Sequence, residues 1–213
     1  MLKLGFGDAR TVLCLGAHAD DIEVGCGGTL LRLLAEQRDV SVHWVVLSAP
    51  GSRADEARAG ADLFLVDAAA RNVVVKGYRD SFFPYQGREI KEYLHELAGA
   101  VSPDLIFAPH REDRHQDHRL VSELTWCAFR DHLILEYEVP KYDGDLGQPN
   151  VFVPLDESIC RRKVQSIMSA FQTQHEKQWF TEDTFWSMLR IRGLECNSRS
   201  KHAEAFHCRK MTL

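Results

Sequence analysis

The sequence predicts an α/β fold in which a mostly parallel sheet lies between two layers of helices. Short apolar and β-branched segments alternate along the chain with longer segments whose apolar residues recur at helical spacing. The short segments are bounded by Gly, Pro or polar residues, and they are almost continuously apolar, as buried parallel strands are. The chain has 213 residues, of which 45% are hydrophobic, so it can build one packed core of this kind.

The first strands and helices are predicted in regular alternation. We expect strands at residues 11–17, 40–47, 72–76 and 104–108. We expect helices at residues 27–38, 53–66, 87–100 and 116–131. Strands joined through helices pair in parallel by right-handed crossovers, so this order predicts a Rossmann-like, three-layer α/β/α arrangement. In such sheets, ligands bind at the carboxyl ends of the strands.

The pattern changes beyond residue 133. Residues 134–139 alternate like a half-exposed strand, and the loop at 141–149 is rich in Asp, Gly and Pro. The remaining elements are expected as an extended piece at 151–153, helices at 156–173 and 182–192, and a strand at 203–208. No internal repeat or low-complexity linker divides the chain, so residues 1–213 are predicted to form a single domain. The strand at 134–139 and the loop after it are candidate surfaces for self-association into a homo-oligomer.

Composition narrows the choice of function. The net charge is -5, from 26 basic and 31 acidic residues without a basic block, which argues against nucleic acid as a partner. The apolar runs are shorter than the roughly 20 residues that a membrane span needs. Residues 1–8 lack a long apolar segment and a cleavage site, so we expect no secretory signal and a cytoplasmic location. The six cysteines have no C-x-x-C spacing and are predicted to be reduced core thiols.

Two clusters of His and Asp stand after predicted strands. Residues 17–21 (Ala-His-Ala-Asp-Asp) follow the first strand, and residues 115–118 (His-Gln-Asp-His) follow the fourth shortly after it ends. If these strands are parallel neighbours, their carboxyl ends bring both clusters into one crevice. The combined set is sufficient to bind one divalent metal and to activate a water molecule. The sequence therefore predicts a metal-dependent hydrolase.

The residue types suggest a division of labour. We predict His18, Asp21 and His118 as ligands of Zn²⁺ or a similar ion such as Fe²⁺, because neutral imidazole and carboxylate both suit these metals. Three protein ligands and a water molecule are typical of a catalytic zinc site, in which the pKa of the water falls to about 7. Asp20 is predicted to accept the proton of that water. The simpler alternative, that Asp20 and Asp21 only cap a helix, does not account for the second cluster.

His115 and Asp117 are predicted to act together. His115 is expected to protonate the leaving group or to stabilise the developing oxyanion. Asp117 is expected to hold His115 in the required tautomer and to raise its pKa.

Three further features lie near these clusters. Residues 25–29 (Gly-Cys-Gly-Gly-Thr) lack the G-x-G-x-x-G order of a nucleotide-binding loop, so their glycines are expected to let the backbone pass close to the metal site and begin a helix. Arg53 follows the second strand and is predicted to bind a substrate hydroxyl, phosphate or carboxylate. His110 and Asp113 are expected to brace the second cluster.

Taken together, these motifs resemble the LmbE/PIG-L family of N-deacetylases. The resemblance rests on residues 17–21, on residues 25–29, and on residues 109–118 with their spaced His and Asp residues. Residues 47–59, 192–193 and 203–206 are also similar to parts of the family pattern, so the resemblance extends over nearly the whole chain.

The resemblance implies a zinc hydrolase that removes an acetyl group from an N-acetylated amino sugar, a small-molecule substrate, or cleaves a related amide. It implies His18, Asp21 and His118 as metal ligands, Asp20 as general base, and His115 with Asp117 as an electrostatic pair.

The chain departs from the family pattern at three positions. Ala19 and Gln116 stand where the family usually or often has Pro, and His202 stands where an aromatic residue is common. The first two shape the backbone and supply no ligand, so activity is expected to survive, whereas His202 bears on specificity. Two alternatives remain open: an amidase acting on a thiol–sugar or antibiotic conjugate, and a non-catalytic Rossmann module that binds a nucleotide or sugar.

Overall fold

The computed structural model describes residues 5–7 and 9–212. Part of the N-terminal stretch considered for a secretory signal, residues 1–4 and 8, lies outside the described residues. The strands are β1 (Thr11–His18), β2 (Ser41–Ser48), β3 (Ala70–Val75), β4 (Leu105–Pro109), β5 (Leu133–Tyr137), β6 (Val151–Pro154) and β7 (Ala203–Cys208). The helices are α1 (Asp21–Glu36), α2 (Arg53–Phe64), α3 (Gly87–Ala100), α4 (Gln116–Ala128), α5 (Glu157–Ala170) and α6 (Glu182–Glu195).

The strands form one seven-stranded sheet in the order β3-β2-β1-β4-β5-β7-β6. The first five strands pair in parallel, and β7 pairs antiparallel with both β5 and β6. This confirms the predicted α/β class with a mostly parallel sheet. Because β1 and β4 are parallel neighbours, the residues that follow them lie at the same edge of the sheet.

The core consists of two apolar clusters, one on each face of the sheet. One cluster receives side chains of α1, α2, α5 and α6, and the other receives those of α3 and α4. Strand β1 serves both clusters, since Val12 and Cys14 belong to the first and Leu13 and Leu15 to the second. A strand buried on both faces must be apolar at successive positions, which explains the continuous apolar run of β1.

Helix α1 begins at Asp21, six residues before the predicted start at 27. The glycines of residues 25–29 lie inside this helix, and neighbouring side chains occupy the space that a Cβ would need. A Cβ on Gly25 would lie 2.1 Å from Cδ2 of Tyr137, and one on Gly27 would lie 2.4 Å from Cε1 of Phe64. The expectation that these glycines begin the helix was therefore wrong, because α1 begins at Asp21; Gly25 and Gly27 make room for aromatic rings of the core.

Strand β5 is an interior strand, so the prediction of a half-exposed strand was wrong. It lies between β4 and β7, and its polar residue Glu136 is fully buried. Trp126 Nε1 donates to Glu136 Oε1 at 2.6 Å, and His110 Nδ1 lies 2.9 Å from Oε2. Glu136 therefore forms its hydrogen bonds with other side chains of the protein and not with solvent. Since β5 has a strand on each side, it offers no free edge for self-association.

The other elements differ from prediction mainly at their ends. The helix expected at 156–173 is α5 followed by a short 3-10 turn at Gln172–Gln174, and α6 continues to Glu195. All six cysteines are free thiols, of which Cys14, Cys26 and Cys160 are buried; the expectation of core thiols was wrong for the exposed Cys127 and for two half-buried ones. Among the described residues, no helix combines the length and apolarity needed to cross a membrane.

Candidate active site

The two His–Asp clusters meet at the carboxyl edge of the parallel strands. His18 ends β1, Asp21 begins α1, and His118 lies in the first turn of α4, the helix that follows β4. Asp21 and His118 are almost fully buried, and His18 is partly so.

Three groups converge at this edge. His18 Nδ1 and His118 Nε2 lie 3.2 Å apart. The Asp21 carboxylate places Oδ2 at 3.6 Å from His18 Nδ1 and Oδ1 at 3.4 Å from His118 Nε2. Two imidazole nitrogens bound to one tetrahedral Zn²⁺ would be about 3.3 Å apart, given Zn–N bonds of about 2.0–2.1 Å. The two imidazoles are therefore spaced for a single divalent cation, with a different Asp21 oxygen facing each of them. His115 is also in reach, since His18, His115 and His118 each have a nitrogen within 4.8 Å of the others.

The electrostatics also favour positive charge at this point. Burial lowers the pKa of His118, but the carboxylates of Asp21 and Asp113 outweigh burial and raise this pKa to about 9. Burial also lowers the pKa of His18, but nearby carboxylates outweigh burial and raise this pKa, and the charge of Asp21 contributes most. The same imidazoles hold the pKa of Asp21 well below its usual range despite its burial. A divalent cation bound at this point would supply the positive charge that these carboxylates stabilise.

Each of the two histidines has a carboxylate behind its other nitrogen. Asp113 Oδ2 lies 2.8 Å from His118 Nδ1, which leaves Nε2 directed at the convergence point. Asp117 Oδ2 lies 3.2 Å from His18 Nε2 and also accepts a hydrogen bond from Ser81 N at 2.7 Å. Such carboxylate–histidine pairs fix the tautomer and orientation of metal-binding imidazoles.

The expected partnership between Asp117 and His115 is corrected by this arrangement. The Asp117 carboxylate serves His18 and the amides of Ser81 and Phe83, not the His115 ring. His115 is the N-cap of α4, and its Nδ1 accepts a hydrogen bond from the backbone N–H of Asp117 at 3.3 Å. Burial, followed by the charges of His118 and His18, lowers the pKa of His115, which is opposite to the predicted direction.

Asp20 and Arg53 form a pair beside the convergent groups. Arg53 begins α2, directly after the β2 edge, and its Nη2 donates to Asp20 Oδ1 at 2.7 Å. The Arg53 side chain is 18% exposed and the Asp20 side chain is 8% exposed. Arg53 therefore lies at the predicted edge of the sheet, where it contacts Asp20.

The loop after β3 contributes residues that the sequence analysis missed. Asp80 Oδ1 lies 3.2 Å from His18 Nε2, with about half of its side chain exposed, and the His18 hydrogen bond lowers the pKa of Asp80. Ser81 adopts a positive φ of 65°, which aims its N–H at Asp117. The sequence offers one indication of Asp80 and Ser81: the loop that carries them follows β3 and so leaves the same edge of the sheet as the two clusters.

Of the two residues predicted to brace the second cluster, only one does so. Asp113 braces the second cluster as expected, whereas the His110 side chain is turned to Glu136. Gln116, in place of the common Pro, donates from Nε2 to Ser81 O at 3.0 Å. His202 packs against Trp186, with ring centroids 5.4 Å apart, in the layer of α6.

This fold, with a His–Asp site at the carboxyl edge of its parallel strands, defines an α/β enzyme with a candidate metal centre. The family model described as PIG-L, GlcNAc-PI de-N-acetylase, matches residues 13–129, more than half of the chain. The chain belongs to this family of deacetylases.

Similar proteins agree with this assignment. The uncharacterized deacetylase YaiS of Escherichia coli K12 is 28% identical over 171 residues, covering 74% of this chain and 89% of YaiS. The N,N'-diacetylchitobiose deacetylase of Pyrococcus horikoshii superimposes with a TM-score of 0.74 at 21% identity, over 95% of this chain and 85% of that one. The 4-carboxy-2-hydroxymuconate hydratase GalB of Pseudomonas putida KT2440 superimposes with a TM-score of 0.76 at 17% identity, over 96% of this chain and 98% of GalB. At these identities the two structures show the fold alone.

Proposed function

We propose that the protein is a metal-dependent N-deacetylase, formed by one domain over residues 1–213, that hydrolyses the N-acetyl group of an amino sugar or its conjugate. The observation that carries this proposal is the convergence of His18 Nδ1, His118 Nε2 and the Asp21 carboxylate within 3.2–3.6 Å of one another. Membership of the PIG-L family supports the reaction class.

His18, Asp21 and His118 are proposed to hold the cation, with Zn²⁺ or Fe²⁺ as the candidates that suit two imidazoles and a carboxylate. A cation bound there supplies Lewis-acid chemistry, acidifying a water molecule and polarising the amide carbonyl. The Asp113 and Asp117 carboxylates fix the two imidazoles before any cation arrives, so little reorganisation is needed on binding.

Asp20 is proposed as the general base. It is adjacent to the ligand Asp21 in the chain, is largely buried, and has Arg53 as its partner at 2.7 Å. The guanidinium holds the carboxylate in one orientation, and a carboxylate positioned in this way can accept a proton. Arg53, predicted from sequence to bind substrate, is proposed to use its remaining N–H groups for a substrate oxygen while one of them holds Asp20.

His115 is proposed to stabilise the oxyanion. Because the Asp117 N–H donates to Nδ1, the neutral ring carries its proton on Nε2. That N–H is available to the carbonyl oxygen as negative charge develops on it. The proton taken up by Asp20 then passes to the departing amine nitrogen.

The enzyme alternatives differ in the amide bond that is cleaved. Similar folds carry different reactions, as GalB illustrates, so the fold does not choose between an amino-sugar deacetylase and an amidase of a thiol–sugar or antibiotic conjugate. The position of Asp20, the proposed base, beside the proposed metal ligands supports a hydrolase over a non-catalytic sugar- or nucleotide-binding module.

The test is metal reconstitution followed by a substrate panel. The chain is stripped with a chelator, reloaded with Zn²⁺ or Fe²⁺, and assayed for amine released from N-acetylglucosamine, its oligosaccharides and conjugates, and simple N-acyl amides. We expect metal-dependent release that is largest for N-acetyl amino sugars. Stoichiometric metal without amine release from any compound would refute the proposed reaction, and absence of metal binding would refute the centre itself.

A further inference from the structure

The loop between β5 and β6 reaches the candidate metal centre through Lys141. Its Nζ lies 2.8 Å from Asp113 Oδ2, 2.7 Å from Asp145 Oδ2 and 3.3 Å from Val139 O. The side chain is only 10% exposed. No motif of the sequence marks this lysine, and the proposed reaction does not use it.

The carboxylate that Lys141 contacts is the one that orients His118. Asp113 Oδ2 is shared between Lys141 Nζ and His118 Nδ1, each at 2.8 Å, and Oδ1 accepts from His115 N at 2.7 Å. One continuous line of contacts therefore runs from the ammonium through the Asp113 carboxylate to the imidazole whose Nε2 faces the convergence point.

The segment that carries Lys141 is itself tied down. Asp145 accepts from Arg114 N at 2.6 Å, and Gly147 N donates to Glu138 Oε1 at 2.8 Å. Arg192 Nη2 contacts Gly147 O at 3.3 Å. These contacts anchor the segment that follows the lysine, at Asp145 and Gly147, and so hold the loop that places the ammonium against Asp113.

We propose that Lys141 is a positioning residue of the metal centre, which holds the Asp113 carboxylate in the place where that carboxylate fixes the His118 ring; this inference rests on the proposed function. Asp113 is 3% exposed, so its charge depends on protein partners in place of water. Without the ammonium, the carboxylate loses one of its compensating partners and the orientation of His118 is less constrained. Loss of such an outer partner typically weakens metal affinity 10–100-fold.

The experiment compares Zn²⁺ and Co²⁺ affinity in Lys141→Met, Lys141→Arg and the wild type, by competition with a chromophoric chelator. The matched control is Lys177→Met, which removes an exposed lysine that lies over the Trp179 ring, in the segment before α6. We expect Lys141→Met to weaken affinity about 10–100-fold, Lys141→Arg to recover most of it, and the control to match the wild type. The visible absorption of the Co²⁺ protein reports the ligand geometry independently of activity.

A double-mutant cycle separates this role from simple anchoring of the loop. If Lys141 acts through Asp113, the double variant Asp113→Asn/Lys141→Met binds Co²⁺ no more weakly than Asp113→Asn alone. Additive losses, or a Lys141→Met affinity equal to that of the control, would overturn the inference. Should Lys141→Met fail to fold by circular dichroism, Asp145→Asn decides, with weaker Co²⁺ affinity expected and wild-type affinity contradicting. A wild type that binds neither metal would instead refute the proposed function.

Discussion

The parallel and antiparallel parts of the sheet use buried charge in different ways. At the carboxyl edge of β1 and β4, charged and imidazole groups converge on a common point, with His18, Asp21 and His118 within 3.6 Å of one another. Around β7, which pairs antiparallel with β5 and β6, buried charge is instead paired within the protein. Glu204 on β7 bonds Lys163 and the amides of Gly28 and Thr29.

The difference separates candidate chemistry from structure. Glu204 has its hydrogen bonds satisfied inside the protein by Lys163 and two backbone amides, without any ligand. At the parallel edge, two imidazole nitrogens and the Asp21 carboxylate face one another, and burying such polar groups is costly unless a cation or a proton lies between them. The parallel edge is therefore the part of the sheet where substitution should affect function first and stability second, and the antiparallel part should show the reverse.

The largest effect is expected for His18→Ala. The variant loses an imidazole from the convergent set, so we expect it to lose stoichiometric metal and to show only background amine release. Elemental analysis of the purified variant, beside the exposed-histidine control His95→Ala, measures this. Full metal content in His18→Ala would contradict the ligand assignment.

Asp20→Asn should separate metal binding from catalysis. The amide keeps the shape of the side chain but cannot accept the proton, so activity should fall about 10²–10⁴-fold, the usual contribution of a positioned general base. Metal content should remain near that of the wild type. The comparison of kcat/KM with bound metal per chain checks both, and normal turnover would show that another group is the base.

Lys163→Met should affect stability with little effect on the metal centre. It leaves the Glu204 carboxylate buried with only the amides of Gly28 and Thr29 as partners, and it also removes the hydrogen bond to Val24 O. Breaking a buried ion pair by removing one partner typically costs about 3–5 kcal/mol of unfolding free energy. Urea unfolding measures the loss, and the folded fraction should bind metal as the wild type does; a metal-free folded fraction would erase the proposed distinction.

The smallest effect is expected for the pH dependence contributed by Glu136. Burial alone would raise the pKa of Glu136, but hydrogen bonds from His110, the Arg111 N–H and Trp126 outweigh burial and lower it. Because the folded-state pKa lies below the unfolded one, this carboxylate stabilises the fold above its unfolded pKa of about 4.3. That contribution is lost as pH falls through the folded pKa.

Glu136→Gln should therefore lose less unfolding free energy than the wild type between neutral and acidic pH. Urea unfolding of both proteins at several pH values measures the difference. Identical acid dependence in the two proteins would show that folding does not lower the pKa of Glu136.

The parallel part of the fold was predictable because its signals are local. Strands buried on both faces are continuously apolar, and the helices between them carry amphipathic patterns, so β1, β2 and β4 were located to within a residue at each end. The start of α1 was missed because its first turn consists of the acidic site residues and its next turn is rich in glycine, neither of which signals a helix interior.

In the site, the two clusters were visible in the sequence, since His and Asp at fixed spacing after apolar strands are typical of metal sites. Their partners were assigned only by the tertiary structure. Asp117 serves His18, not His115, and Asp80 and Lys141 come from loops without a motif. Hydrogen bonds between elements distant in the chain depend on how loops pack over the sheet edge, which local sequence patterns do not encode.

Residue types and their spacing thus predicted the candidate ligands, the candidate base and the sheet edge at which they lie. Only the folded structure revealed which carboxylate holds which imidazole, and that β5 lies inside the sheet with Glu136 bonded to His110 and Trp126. Residue type and spacing act over a few residues, whereas the pairing of buried charges is settled by contacts among elements that meet only when the chain is folded.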